Sequence, residues 1–211
     1  MIPNAAFDVV GLCRSYGGRR VLEPISFRVS GGTGLALLGE NGSGKSTLMR
    51  LLAQVEKPDS GSIFFCGKNV LGDRAFLRSE IGYVPQELSL DDSLTVAQQL
   101  SLWRAACGCR ANAEAEDLMG LAPLRKKRIS ELSGGQARRV SIAMALMNSP
   151  TVLLLDEATE GLDEAYREAL TAHLAGFIGA GGILIFATHR SEEAARLCRA
   201  GITLRGGAVV R

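Results

Sequence analysis

The chain has 211 residues, 46% of them hydrophobic and 22% charged, with a formal net charge of +2. This is the composition of a globular protein, long enough for one large domain or a core plus a subdomain, and a charge so near zero gives no global pull toward nucleic acid. No run of 18 apolar residues offers a membrane span, and Met1-Ile2-Pro3-Asn4 lacks the charged and apolar regions of a signal peptide.

Residues 6–12 and 25–29 carry short, partly alternating apolar runs separated by the turn residues Tyr16-Gly17-Gly18-Arg19, the pattern of antiparallel strands. Tyr16 is read either as a ring for an adenine base or as an ordinary turn tyrosine. The apolar run Leu35-Ala36-Leu37-Leu38 then meets Gly39-Glu40-Asn41-Gly42-Ser43-Gly44-Lys45-Ser46-Thr47, and a helical pattern follows over residues 48–53. Strand, glycine-rich loop and helix in that order make a P-loop, because glycines let successive N–H groups face an anion and the helix N-terminus adds its dipole. The expected ligand is a nucleotide polyphosphate, with Lys45 at the β- and γ-phosphates, Ser46 on Mg²⁺ and Thr47 on a nearby phosphate oxygen.

Lys57-Pro58-Asp59-Ser60-Gly61 is a turn before a strand over 62–67, and residues 81–84 form a further strand stopped by Pro85. Gln86 therefore opens a loop at a strand's carboxyl end, where a neutral amide oxygen suits Mg²⁺ or its water. From Ser93 the pattern turns helical: Thr95 and Gln98 offer a capping box, and residues 113–121 read as a second helix ended by Pro123. Trp103 is expected in the core of this insert, and Arg125-Lys126-Lys127-Arg128 as a solvated helix end or loop rather than a polyanion site. The five cysteines, Cys13, Cys66, Cys107, Cys109 and Cys198, have no framework spacing, so they read as thiols in a reducing compartment.

Ser133, Gly134 and Gly135 precede a helix expected over 136–147, which makes a second cradle of N–H groups and a hydroxyl for phosphate oxygens. The unbroken apolar run of residues 151–155 suits a strand buried on both faces, with Asp156 and Glu157 at its carboxyl end. Asp156 is expected to hold Mg²⁺ through water, and Glu157 to orient the attacking water. An amphipathic helix over 164–178 carries His173, read as structural or exposed; the strand over 183–188 ends at His189, and residues 202–204 and 208–210 form a terminal hairpin.

Leu132-Ser133-Gly134-Gly135-Gln136 resembles the signature sequence of the ABC (ATP-binding cassette) ATPases, and Glu160-Gly161-Leu162-Asp163 is similar to their D-loop. With the P-loop, Gln86, Asp156-Glu157 and the switch-like His189, the resemblance covers nearly the whole chain in the family's order. It implies an α/β fold: a P-loop NTPase core with a small antiparallel β-subdomain and an inserted helical subdomain, the core at 1–87 and 150–211 and the signature-bearing helices at about 88–149. It also implies an ATPase with Glu157, His189 and Lys45 catalytic, and Ser46, Gln86 and Asp156 on Mg²⁺. Tyr16, Gly39, Asn41, Gly42, Ser43, Gly44, Lys45, Ser46, Thr47, Gln86, Ser133, Gly134, Gly135, Gln136 and Asp163 would bind ATP. The implied partners are membrane-spanning permease subunits and a second, identical or paralogous cassette, on the inner face of the cell membrane; nucleic acid is not expected. Residues 83–87 and 94–96 look closer to ABC-2-type exporters than to uptake systems. A soluble, non-transport ABC ATPase is the alternative. Thr33 stands where the family commonly has Glu and Ala158 where it commonly has Pro, and neither touches phosphate chemistry.

Overall fold

The computed structural model describes residues 5–109 and 112–210, so the reading of Met1 to Asn4 falls outside the described residues. Strands β1 (Ala6–Tyr16) and β2 (Arg19–Ser30) pair around Gly17 and Gly18, both at the positive φ that a tight hairpin turn requires. β3 (Thr33–Leu38) enters the P-loop and α1 (Lys45–Leu52) leaves it. β4 (Ser60–Phe65) and β5 (Lys68–Asn69) complete an antiparallel sheet of order β2-β1-β4-β5. A helix absent from the sequence reading, α2 (Arg74–Glu80), follows; the Asp73 side chain caps it by accepting from the N–H groups of Ala75 and Phe76. β6 (Ile81–Val84) then runs to Pro85.

The insert holds α3 (Val96–Cys107), α4 (Ala113–Leu118) and α5 (Gly134–Leu146). The Thr95–Gln98 capping box forms as expected, and Gly108, at φ 72°, closes α3. α4 stops three residues early, because Gly120 turns the chain at φ 57° where a Cβ would meet the Tyr166 ring. α5 starts two residues early, at Gly134. Trp103 corrects another expectation: it is 36% exposed at the rim of the insert, and its indole N–H donates to the Met144 carbonyl at 2.9 Å. An amphipathic ring with one polar edge settles at a boundary where the N–H finds a partner.

β7 (Val152–Asp156), α6 (Glu164–Gly179), β8 (Ile183–Ala187), α7 (Ser191–Leu197), β9 (Ala200–Arg205) and β10 (Ala208–Val210) return to the core. α7 is a second helix that the sequence reading lacks. The core sheet has order β10-β9-β3-β8-β7-β6, parallel except for β10. Every residue of β7 and β8 is buried because both faces are covered. Along β7 the strand's period of two divides them: Val152 and Leu154 pack with α1 and the antiparallel sheet, Leu153 and Leu155 with the helical insert and α6. The insert thus shares an apolar core with one face of the sheet. Among the described residues, no helix is long and apolar enough to cross a membrane.

Candidate functional site

Because β3, β6, β7 and β8 are parallel, their carboxyl ends share one edge, and the chemistry collects there. After β3 the chain passes Gly39, where a Cβ would sit 2.4 Å from the Leu204 carbonyl oxygen, and turns into α1 at Gly44, at φ 106°. Only glycine fits either position. Lys45 is 6% exposed, and its Nζ donates to the carbonyls of Gly39 at 2.7 Å and Glu40 at 3.2 Å, which holds the ammonium over the loop. The Ser43 hydroxyl is buried with no hydrogen-bond partner. A cleft of about 200 Å³ opens here, lined by Asn41, Gly42, Gly44, Lys45, Ser46 and Thr47 of the loop together with Gln86 and Glu157. Backbone N–H groups, a helix N-terminus and an ammonium converge on it, which is a site for a polyphosphate.

The Ser46 hydroxyl donates to the Gln86 amide oxygen at 2.9 Å, across 40 residues of chain. Beside them Asp156 is 1% exposed, and neither carboxylate oxygen has a hydrogen-bond partner. Burial pushes the Asp156 carboxyl up to about 6; the neighbouring Glu157 charge adds to this, while Ser46, Lys45 and Arg50 pull the other way. Orphaned carboxylate oxygens next to a hydroxyl and an amide oxygen make an all-oxygen donor set for a hard cation. Among the described residues no three His, Cys, Asp or Glu side chains cluster as a metal site. The donors therefore fit an ion such as Mg²⁺ that keeps waters and takes phosphate oxygens as ligands.

Glu157 has φ 51°, a left-handed conformation that costs a non-glycine residue about 1–2 kcal/mol. Its N–H donates to the Ala187 carbonyl at 2.9 Å, and its carboxylate meets His189 Nδ1 at 2.8 Å. A carboxylate only accepts, so Nδ1 carries the proton and Nε2 is left free. Strand ends β7 and β8, adjacent in the sheet, bring this pair together. A carboxylate lining the phosphate cleft, oriented by an imidazole, suits the activation of water.

Residues 22–160 match the model of the ABC transporter family. The chain belongs to that family. It is 38% identical to the Nod factor export ATP-binding protein I of Paraburkholderia xenovorans over 205 residues, 93% of this chain and 67% of the relative. It is also 38% identical to the protein of the same name in Rhizobium etli over 208 residues, 96% of this chain and 66% of the relative. The chain spans about two thirds of the length of these relatives. Among solved structures it is similar to an ATP-binding subunit of an ABC transporter, at TM-score 0.85 and 28% identity, covering 96% of this chain and 87% of that one. A dimeric bacterial ABC transporter cassette gives TM-score 0.85 and 25% identity over 97% of each chain.

The signature-like stretch 132–136 contributes none of the residues that line the P-loop cleft. Ser133 caps α5: its hydroxyl accepts from the Gln136 N–H at 3.3 Å, and Gln136 Oε1 accepts from the Ser133 N–H at 3.2 Å. The Gln136 amide oxygen is thereby committed within its own chain. A Cβ on Gly135 would sit 2.3 Å from the Gly161 carbonyl oxygen, so the start of the signature helix lies against the loop that carries Asp163. Asp163 is exposed at the N-terminus of α6 and makes no capping hydrogen bond. Tyr16 does not line the P-loop cleft either; its hydroxyl is bonded to Glu56, and the Arg14 guanidinium lies 4.9 Å from its ring centroid. His173 is exposed on α6. From the sequence, Arg138 only continues the family's pattern in Ala137-Arg138-Arg139-Val140 and has no assigned role; in the fold its buried guanidinium reaches the loop at Gln86.

Proposed function

We propose that this chain binds and hydrolyses Mg-ATP and powers export through separate membrane-spanning subunits. The observation that carries this reading is the meeting of Lys45, the Ser46–Gln86 pair, the unpartnered Asp156 oxygens and the Glu157–His189 pair at one sheet edge. The Lys45 ammonium leaves its two loop carbonyls and donates to the β- and γ-phosphates, and the loop N–H groups with Ser43 and Thr47 bind the remaining oxygens. Ser46, Gln86 and Asp156 would hold Mg²⁺, which when bound neutralises charge on the phosphates. Glu157 accepts a hydrogen bond from the attacking water, and His189 fixes that carboxylate through its Nδ1–H.

Gly134 and Gly135 open a helix with unused N–H groups, yet their own P-loop is elsewhere. The phosphate they take belongs to a second cassette, identical or paralogous, docked head to tail. Coupling uses a cavity of about 570 Å³ between core and insert, walled by Leu77, Ile81, Tyr83, Leu90, Trp103 and Met144. An apolar segment of a membrane-spanning partner fits this groove, which also reaches Gln86 and Asp156. The protein then sits on the inner face of the membrane, and the relatives named for Nod factor export support the outward direction.

The test is ATP binding and phosphate release by the wild-type chain, Lys45→Ala and Glu157→Gln. Lys45→Ala is expected to bind ATP weakly and hydrolyse none, with its melting temperature nearly unchanged. Glu157→Gln is expected to bind ATP normally and turn over at least roughly 100-fold more slowly. Normal turnover by either variant would overturn the assignment.

A further inference from the structure

Arg138 lies on α5, five residues after the Ser133 cap, and is 8% exposed. Its Nη1 donates to the carbonyl of Pro85 at 2.6 Å and its Nη2 to the carbonyl of Gln86 at 2.8 Å. These are consecutive carbonyls at the point where β6 ends and sheet pairing no longer serves them. A planar fork of donors suits such a pair, and a lysine reaches only one of them at a time. Burying a cation against carbonyls rather than a paired carboxylate is costly. Asp156, Glu157 and Glu160 offset part of that cost from a distance, although burial still holds the Arg138 pKa below the usual arginine value.

What the clamp fixes is a backbone whose side chain matters. Gln86 crosses to the Ser46 hydroxyl at 2.9 Å, beside the two unpartnered oxygens of Asp156. A side chain as long as glutamine finds one partner across the cleft only if its own Cα is held in place. One guanidinium thus joins the helix opened by the signature to the amide at the cation site. We propose that Arg138 is a positioning residue for Gln86, which makes the presentation of the Gln86 amide oxygen at Ser46 depend on where α5 sits. The proposal rests on the Mg-ATPase reading of the site. Arg138 does not line the P-loop cleft, and so acts only through Gln86.

The experiment measures ATP affinity with a fluorescent ATP analogue, once in EDTA and once in Mg²⁺, together with turnover, for the full chain and four variants. Arg138→Met is expected to cut the Mg²⁺-dependent gain in affinity and the turnover by about 10-fold, with affinity in EDTA within about twofold of wild type. Arg138→Lys should recover part of the loss. It also carries the test by itself if Arg138→Met fails to fold, its expected loss lying between wild type and Gln86→Ala. In a Gln86→Ala background, adding Arg138→Met should cost less than about twofold more, since the group it positions is already gone. Losses that multiply in the double variant would overturn the proposal, as would an unchanged Mg²⁺ gain in Arg138→Met or an equal fall of affinity in EDTA and in Mg²⁺. A wild-type chain that gains nothing from Mg²⁺ would instead contradict the Mg-ATPase reading, so the two failures are distinguishable.

Discussion

Asp156 is buried where its charge is least favourable until a cation arrives. With its carboxyl raised from 3.8 to about 6, the metal-free folded chain keeps a proton that the unfolded chain has lost across that interval. The contribution of Asp156 to folded-state stability therefore falls as pH rises from about 4 to 6 and stays lower above it, by on the order of 2–3 kcal/mol. Asp156→Asn removes the charge. In EDTA at pH 7.5 the variant is expected to melt roughly 4–10 °C above wild type, and at pH 4 close to it. Saturating Mg-ATP should narrow that gap, because the variant lacks a carboxylate that would hold Mg²⁺ and gains less of the ligand's stabilisation. Melting curves against pH decide it, and a variant that keeps the wild-type slope between pH 4 and 6 would contradict the account. The residues of this site divide by how they could be read. Lys45, Ser46, Asp156 and Glu157 were legible because each sits at a fixed offset from a glycine or an apolar run. Arg138 was not, since its carbonyl partners lie 53 and 52 residues away in sequence and only the fold brings them near.

Elements meet through glycines whose cost depends on what a methyl group would touch. On β6, a Cβ at Gly82 would lie 2.4 Å from the Ala145 carbonyl oxygen and 2.7 Å from Leu153 Cδ2, so the signature helix rests directly on the strand. On α6, a Cβ at Gly176 would meet nothing within 4 Å. Gly82→Ala is expected to destabilise the chain by about 1–3 kcal/mol and to lower turnover, since β6 leads into Gln86. Gly176→Ala should stabilise it by about 0.5–1 kcal/mol and leave turnover alone. Equal effects of the two substitutions in thermal melts would show that backbone freedom, not contact, governs both. The same local logic explains which elements the sequence concealed. α2 and α7 have seven residues each and bury only Phe76, and only Ala194 and Leu197, so neither is long enough to establish a helical period. β7, β8 and α6 stood out because buried runs or four turns of pattern are hard to mistake. Trp103 was misplaced because periodicity assigns a face, and whether that face is covered depends on tertiary packing.

At the scale of the molecule, the two anion cradles proposed for one chain share no lining residue. The P-loop cleft carries Lys45, Gln86 and Glu157, whereas Ser133 caps an exposed helix start with the Gly161 carbonyl behind it. On the proposed reading a single copy has half of each of two composite sites, and a two-fold pairing would complete both at once. On the proposed reading, ATP held between P-loop and signature would join the copies, and loss of the γ-phosphate would remove the group that both sides hold, turning hydrolysis into opening. Ser133→Arg places a long side chain in the partner's phosphate position. It also deletes a helix cap, at about 1 kcal/mol, too little to unfold the chain. The variant is expected to bind ATP as a monomer with wild-type affinity and to hydrolyse none. If the assembly is a homodimer, mixing it in equal parts with Lys45→Ala puts half of the copies into mixed dimers. Each mixed dimer has one site built from an intact P-loop and an intact signature, and another with neither. Turnover should then return to about one quarter of wild type, half of the dimers each with half of their sites. Ser133→Arg that hydrolyses ATP at the wild-type rate would exclude the paired arrangement, and loss of ATP binding by its monomer would place the signature at its own P-loop instead.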